Sequence, residues 1–217
     1  MPASQTRRIP RGVIQRLPLY LSALSHLAGE GRRSVSSADL SYHTGVNAAE
    51  IRRDLAYFGS MGKPGVGYDV ARLDDHIRHI LGSDHVLRIA VVGAGNLGCA
   101  IAGHQGLLSR GFSIAAIFDN AASRIGQNVG ELVVRDVAEL PDAVAGLKID
   151  FGIIAVPSGA AQEIADRMCD AGVKVILNYS STFVHVRDGV TLHNTDPVGD
   201  MLRTLYYLSR SEEVAGV

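Results

Sequence analysis

Three glycines and one carboxylate carry the most specific chemistry in this chain. Gly93, Gly95 and Gly98 stand in VVGAGNLG with the spacing G-x-G-x-x-G, and Asp119 follows twenty-one residues after the last of them. Glycines at those intervals let the chain turn sharply out of a strand, let its backbone approach a pyrophosphate, and let the next helix pack close to the strand. The N–H groups and positive dipole end of that helix suit phosphate oxygens. An acidic residue at the end of the following strand accepts hydrogen bonds from adenosine ribose hydroxyls and repels a 2′-phosphate. Gly93, Ala94, Gly95, Asn96, Leu97, Gly98 and Asp119 therefore read as a site for NAD or NADH in preference to NADP(H). No His/Cys cluster has the spacing of a metal site.

These residues need a strand, a turn, a helix and a second strand to hold them. Val86–Val92 is mostly apolar, as a buried parallel strand is. Leu97, Ile101 and Leu108 predict the inner side of the helix after it, and FSIAAIFD predicts a second strand that ends on Asp119. The alternation continues through a helix in DVAELPDAVAGL, a strand in DFGIIAVP, a helix in GAAQEIADRMCDAG and a strand in VKVILNYS. Ligands of open parallel sheets sit at the carboxyl ends of strands. Val156, Pro157, Asn178 and Tyr179 are accordingly expected to border the cofactor. DPVGDMLRTLYYLSR predicts a last amphipathic helix, with Met201, Leu202, Leu205 and Leu208 facing the body or a partner subunit.

More than eighty residues precede the glycine motif, and their chemistry is different. Leu17, Leu21, Leu24 and Leu27 form one helical stripe, with Pro18 near its beginning as a candidate kink. Ser36 with Asp39 resembles a capping box, and Gly45 suits a left-handed stop. Asn47 caps a further helix, in which Ile51, Leu55 and Phe58 point inward and Arg52 and Arg53 point away. That order of helices is helix-turn-helix. GSMGKPGVGYDV then places Lys63 in a glycine-rich loop before a short strand, as the wing of a winged helix would be. VARLDDHIRHILG closes the unit with Leu73, Ile77 and Leu81. Asn47, Arg52, Arg53 and Lys63 make the expected DNA-facing set. Charge agrees: residues 1–68 hold nine Lys/Arg against four Asp/Glu, whereas the remainder holds twelve against eighteen. A basic front on an acidic body suits an anionic partner.

Composition narrows the classes further. At 217 residues and 47% hydrophobic, the chain can bury a core without staples. No apolar run reaches bilayer length. Cys99 and Cys169 are the only cysteines and both fall in apolar helical patterns, which fits a reducing cytoplasm.

RLPLYLSALSHL, VSSADL, GVNAAEIRRDLAYFGSMG, GVGYDV, HILG, VVGAGNLG, RGFSIAAIFD and GIIAVPSGAAQ are collinear, and together the chain resembles the redox-sensing transcriptional repressors of the Rex family; AGVKVILNYS adds a weaker match. The resemblance implies a homodimer with N-terminal winged helices, Rossmann domains and domain-swapped C-terminal helices. It implies that NADH releases the protein from a palindromic double-stranded DNA operator and that NAD+ permits binding. The chain departs from the family at several positions. Ser22 stands where the family has Arg, and that Arg can pair with an acidic residue matching Asp196 here. His104 replaces a Tyr that helps couple the nicotinamide to domain closure. GKPGVGY puts Pro64 where the wing has Arg, and NYSSTFVHV replaces a more apolar pattern. His104 reads either as the substitute for the missing cation, able to pair with Asp196 when protonated, or as a spacer in a switch that uses other contacts.

The whole therefore predicts an α/β chain. A winged helix-turn-helix domain spans 1–84, a Rossmann-type parallel-sheet domain 85–196, and a C-terminal dimerisation helix 197–217. The expected partners are operator DNA and a second copy, with neither membrane nor metal and no catalysis. The rival readings are an NAD-dependent oxidoreductase and a coenzyme A-binding protein, each with an accessory N-terminal domain. About forty residues follow the last predicted Rossmann strand, too few for a substrate domain, and His104, His185 and His193 form no recognisable catalytic set.

Overall fold

Apolar spacing and caps define the helices of the N-terminal unit in the computed structural model. The model describes residues 9–59, 62–63, 65–82, 85–196, 198–199 and 201–202. Helix α1 (Arg11–Gly29) runs through Pro18 and buries Val13, Leu17, Tyr20, Ala23, Leu24 and Leu27. The short strand β1 (Ser34–Val35) leads to α2 (Ser37–Thr44), which opens on a complete capping box between Ser36 and Asp39 and stops at the left-handed Gly45. The next helix, α3 (Ala48–Ala56), begins where the Asn47 side chain accepts from the N–H of Ala49. Strands β2 (Gly62–Lys63) and β3 (Gly67–Asp69) form an antiparallel wing, and β3 also pairs with β1. Helix α4 (Val70–Ile80) returns Val70, Leu73 and Ile77 to a core shared with Leu40, Ile51 and Leu55. Pro64 lies outside the described residues.

The chain divides into two units between His85 and Val86. The second is a doubly wound sheet. In chain order its elements are β4 (Leu87–Val92), α5 (Asn96–Ala102), β5 (Phe112–Asp119), β6 (Asn128–Val129), β7 (Leu132–Asp136), α6 (Leu140–Leu147), β8 (Phe151–Ile154), α7 (Ser158–Asp170), β9 (Val175–Asn178) and β10 (Thr191–Asn194). The strand order is β10-β9-β8-β4-β5-β7-β6, with all pairs parallel except the β6–β7 hairpin. The order reverses between β4 and β8, the position where such sheets open a ligand crevice. Alternate residues of β4 serve opposite faces: Ala90 and Val92 join the core under α6 and α7, whereas Ile89 and Val91 join Cys99, Ile101 and Ala102 of α5. That two-sided burial explains the continuous apolar runs of the central strands.

Several sequence expectations need correction. The helix after the glycine turn ends at Ala102, and residues 105–110 form a separate 3-10 segment. Leu97 and Leu108 are consequently exposed, at 45% and 64%, and the inner side belongs to Gly98, Cys99, Ile101 and Ala102. The third predicted strand stops at Ile154, so Pro157 belongs to the start of α7. Strands β6, β7 and β10 had no counterpart in the sequence reading. Val198, Gly199, Met201 and Leu202 are helical, and Leu205, Leu208 and the rest of the segment expected to form the C-terminal dimerisation helix lie outside the described residues.

Candidate nucleotide cleft and nucleic-acid face

The cleft begins with two glycines that tolerate no side chain. Gly93 has φ +106°, and a Cβ there would lie 2.4 Å from the Ala155 carbonyl oxygen. A Cβ on Gly98 would lie 1.8 Å from the carbonyl oxygen of Gly93, so the turn and α5 touch backbone to backbone. Gly95 is different. Its added Cβ would meet only Arg124 Nη1, at 3.9 Å, which leaves space for a ligand above the turn.

Asp119 ends β5 beside this turn. Its Oδ2 accepts from the N–H of Ala94 at 2.8 Å and its Oδ1 from the N–H of Ala121 at 2.9 Å. Each carboxylate oxygen keeps a further lone pair for a ribose hydroxyl. The cleft at the strand ends has a volume of about 600 Å³, inside the range of small-molecule sites. Gly93, Gly95, Asn96, Leu97, Asp119, Val156 and Pro157 all line it. Ala94 and Gly98 are buried behind the turn and act through backbone. Leu97, misplaced in the helix pattern, is a wall of this cleft.

Beyond β9 the wall is polar. Tyr179, Ser180 and Ser181 line it, and the hydroxyls of Ser158 and Ser181 are 3.1 Å apart. Asn178 does not border the cleft. It is fully buried, its Nδ2 donates to Thr182 O and Asn194 Oδ1, and its Oδ1 accepts from Ser180. It ties β9 to β10, because a buried amide must satisfy its own hydrogen-bonding groups. The sequence reading also missed Arg124, whose Nη1 donates to the Ala94 carbonyl and whose Nε lies 4.0 Å from Asp119 Oδ2.

In the N-terminal unit, Arg52, Arg53 and Lys63 are exposed. Arg52 Nη1 donates to Ser37 Oγ at 2.7 Å, beside a groove lined by Ser37, Arg52, Gly62, Lys63 and Tyr68. Asn47 has its side chain engaged in the helix cap and supports α3 from its first turn. Under the arginines lies a buried ion cluster. Asp54, 3% exposed, accepts from Arg16 Nε at 2.6 Å, from Arg16 Nη2 at 2.8 Å and from Tyr20 Oη at 2.6 Å. Arg16 Nη1 also reaches Glu50 at 3.0 Å. Burial pushes against ionisation of Asp54, but the hydrogen bonds from Arg16 and Tyr20 outweigh it and hold the carboxyl below its ordinary range. Burial, with the bond to Asp54, pushes the Tyr20 phenol up. A charged residue between the inward-facing Ile51 and Leu55 was the available signal for such a cluster.

Comparison with known proteins agrees with both halves of this geometry. The family model "Putative DNA-binding protein N-terminus" matches residues 8–56, and the model "CoA binding domain" matches residues 84–182. The redox-sensing transcriptional repressor Rex of Rubrobacter xylanophilus is 46% identical, covering 93% of each chain. The chain belongs to the Rex family. The Rex of Streptomyces coelicolor is 41% identical over 90% of this chain and 76% of its own. The crystal structure of RSP in complex with β-NAD+ and operator DNA superposes with a TM-score of 0.83 at 38% identity, covering 96% of this chain and 95% of RSP. RSP in complex with β-NADH gives a TM-score of 0.83 at 36% identity, with 96% and 98% covered.

The three residues expected to take part in the switch, Ser22, His104 and Asp196, are solvent-facing here. Ser22 is exposed on α1. His104 is exposed and caps the 3-10 segment, its Nδ1 accepting from the N–H of Gly106 at 3.0 Å. Asp196 is exposed, and its Oδ1 accepts from the N–H of Gly199 at 2.9 Å. Neither His104 nor Asp196 lines the cleft.

Proposed function

We propose that this Rex-family chain is a transcriptional repressor that holds a palindromic DNA operator as a homodimer and reports the NADH/NAD+ ratio, with NADH releasing it. The observation that carries the reading is one chain combining an arginine-bearing winged helix with a glycine-cradled cleft closed by Asp119. Space above Gly95 admits a pyrophosphate, and the Asp119 oxygens accept from the adenosine ribose. In this reading the nicotinamide lies toward Ser158, Tyr179, Ser180 and Ser181, at the far side of the strand reversal; their lining of the same cleft supports it. Arg52, Arg53 and Lys63 meet the DNA, with Asn47 setting the start of the helix that carries the arginines. Ser22, His104 and Asp196 belong to the coupling between ligand and DNA binding.

The nucleotide acts as a message and not as a reactant. A hydride-transfer enzyme needs a proton donor or acceptor beside the nicotinamide; His104, His185 and His193 stand outside the cleft lining, and a turnover assay decides whether Tyr179, which lines it, serves as one. The proposed operator binding supports a cytoplasmic location. No described helix is long and apolar enough to cross a membrane. The match to a CoA binding domain favours coenzyme A as a second reading. Against it, a phosphorylated ribose would bring more negative charge to Asp119. Calorimetric titration with NADH, NAD+ and coenzyme A, together with an assay for 2-hydroxy acid turnover with NAD+, separates the readings. Binding of both nicotinamide nucleotides without turnover is the expected result. Tight coenzyme A binding without NADH binding, or steady turnover, would replace the proposal.

A further inference from the structure

A dinucleotide brings two negative charges at its pyrophosphate, yet the glycine motif and Asp119 contribute no cation. Helix α5 has only seven residues, so its dipole is short. Two arginines line the cleft, and their circumstances differ. Arg167 is engaged with Glu163 Oε1 through Nε at 3.1 Å and Nη2 at 2.8 Å. Arg124 is held more loosely: its Nε lies 4.0 Å from Asp119 Oδ2, within ion-pair range but beyond hydrogen-bond reach, and among the described residues its Nη1 donates to the Ala94 carbonyl. Its side chain is 44% exposed, and Nη1 lies 3.9 Å from where a Cβ of Gly95 would stand, over the open part of the turn. A guanidinium has five N–H donors and a planar fork suited to phosphate oxygens. The carbonyl of Ala94 and the carboxylate of Asp119 steer it to that place.

We propose that Arg124 is the cation that holds the dinucleotide's pyrophosphate above the glycine turn. The assignment rests on the reading of the cleft as an NAD(H) site. It gives Asp119 a second task besides binding ribose, which is to orient the arginine.

The test uses the full chain and three probes: NADH, ADP and adenosine. Arg124→Ala is expected to weaken NADH and ADP by about tenfold at low salt, as for loss of a partly exposed charge-assisted contact. Adenosine, which lacks the phosphates, keeps its affinity. Arg124→Lys, which retains the charge but not the fork, loses less. The difference between wild type and Arg124→Ala narrows as ionic strength rises. Unchanged ADP affinity in Arg124→Ala overturns the proposal. Equal loss of adenosine and ADP also overturns it, because Arg124 would then be supporting the turn or the adenine. A wild type that binds no NADH would instead remove the cleft reading itself. Matching thermal melts of the variants show that the fold is intact.

Discussion

Under the proposed function, the two units place function in opposite kinds of residue. In the N-terminal unit it resides in long side chains, Arg52, Arg53 and Lys63, that project from a small helical core. Helix α3, which carries the two arginines, is tied to α1 by Arg16, which bridges to the buried Asp54 and to the part-exposed Glu50. In the C-terminal unit it resides where side chains are missing, at Gly93, Gly95 and Gly98. The first surface fails when atoms are removed and the second when atoms are added. A buried charge pair costs desolvation and contributes little net stability, so the Arg16–Asp54 pair is best understood as fixing the setting of α3.

The largest expected effect comes from adding one methyl group to the backbone contact of the cleft. Gly98→Ala forces a carbon against the Gly93 carbonyl oxygen, and we expect a stability loss of about 4 kcal/mol, read as a lowered melting temperature of the C-terminal unit. Gly95→Val sharpens the point. Its site is open, so the melt should match wild type while calorimetry detects no NADH binding. If Gly95→Val bound NADH normally, the ligand would not lie over the turn.

Next is Asp54→Ala, which leaves Arg16 without its buried partner and is expected to cost the N-terminal unit about 3 kcal/mol. A pH dependence follows from the depressed carboxyl of Asp54. Its contribution to stability is complete above the unfolded carboxyl value near 3.9. It is lost as pH falls through the lower folded value. Acid unfolding of the N-terminal unit, followed by circular dichroism, should therefore begin below about pH 4 and shift upward in Asp54→Asn. Superimposable acid transitions would show that the cluster contributes nothing through charge.

Arg52→Ala and Arg53→Ala are expected to weaken operator binding by about 1–3 kcal/mol each where they reach bases, without changing NADH affinity. Ser37→Ala, which only frees Arg52, should cost about 0.5 kcal/mol. Fluorescence anisotropy with a labelled duplex measures both. If Ser37→Ala equalled Arg52→Ala, the tether and not the guanidinium would be the important part. The smallest effect is expected at His104. An amide oxygen can replace Nδ1 as acceptor for Gly106, so the cap survives in His104→Gln, and loss of the imidazole should move the NADH midpoint of operator release by about twofold. An unchanged midpoint would remove His104 from the coupling.

Much of the architecture was legible because local and global preferences coincided. The α1 stripe, the Ser36–Asp39 box, the Asn47 cap and the β5 run ending on Asp119 each combine an apolar period with a recognisable boundary. β6, β7 and β10 were not legible. They are two to five residues long, lie toward the sheet edges and mix polar with apolar side chains, as in LVVRD and TLHN. Leu97 and Leu108 followed helical spacing, but the helix breaks at Gly103 and its inner side is formed by Gly98, Cys99, Ile101 and Ala102. Asn178 sat at a strand end, where ligand contact and a structural bond to Asn194 look alike in sequence. Arg124 was hidden for another reason: it lies in a loop after β5, and only the three-dimensional turn brings it to Ala94.

The central claim is that the cleft controls the arginine face. Its most direct test is the anisotropy of a palindromic operator duplex held by the full-length protein and titrated separately with NADH and NAD+. Our account predicts release by NADH and continued binding at the same concentration of NAD+, with Gly95→Val remaining bound throughout. Release by both nucleotides alike, or by neither while calorimetry shows that NADH binds, would contradict it.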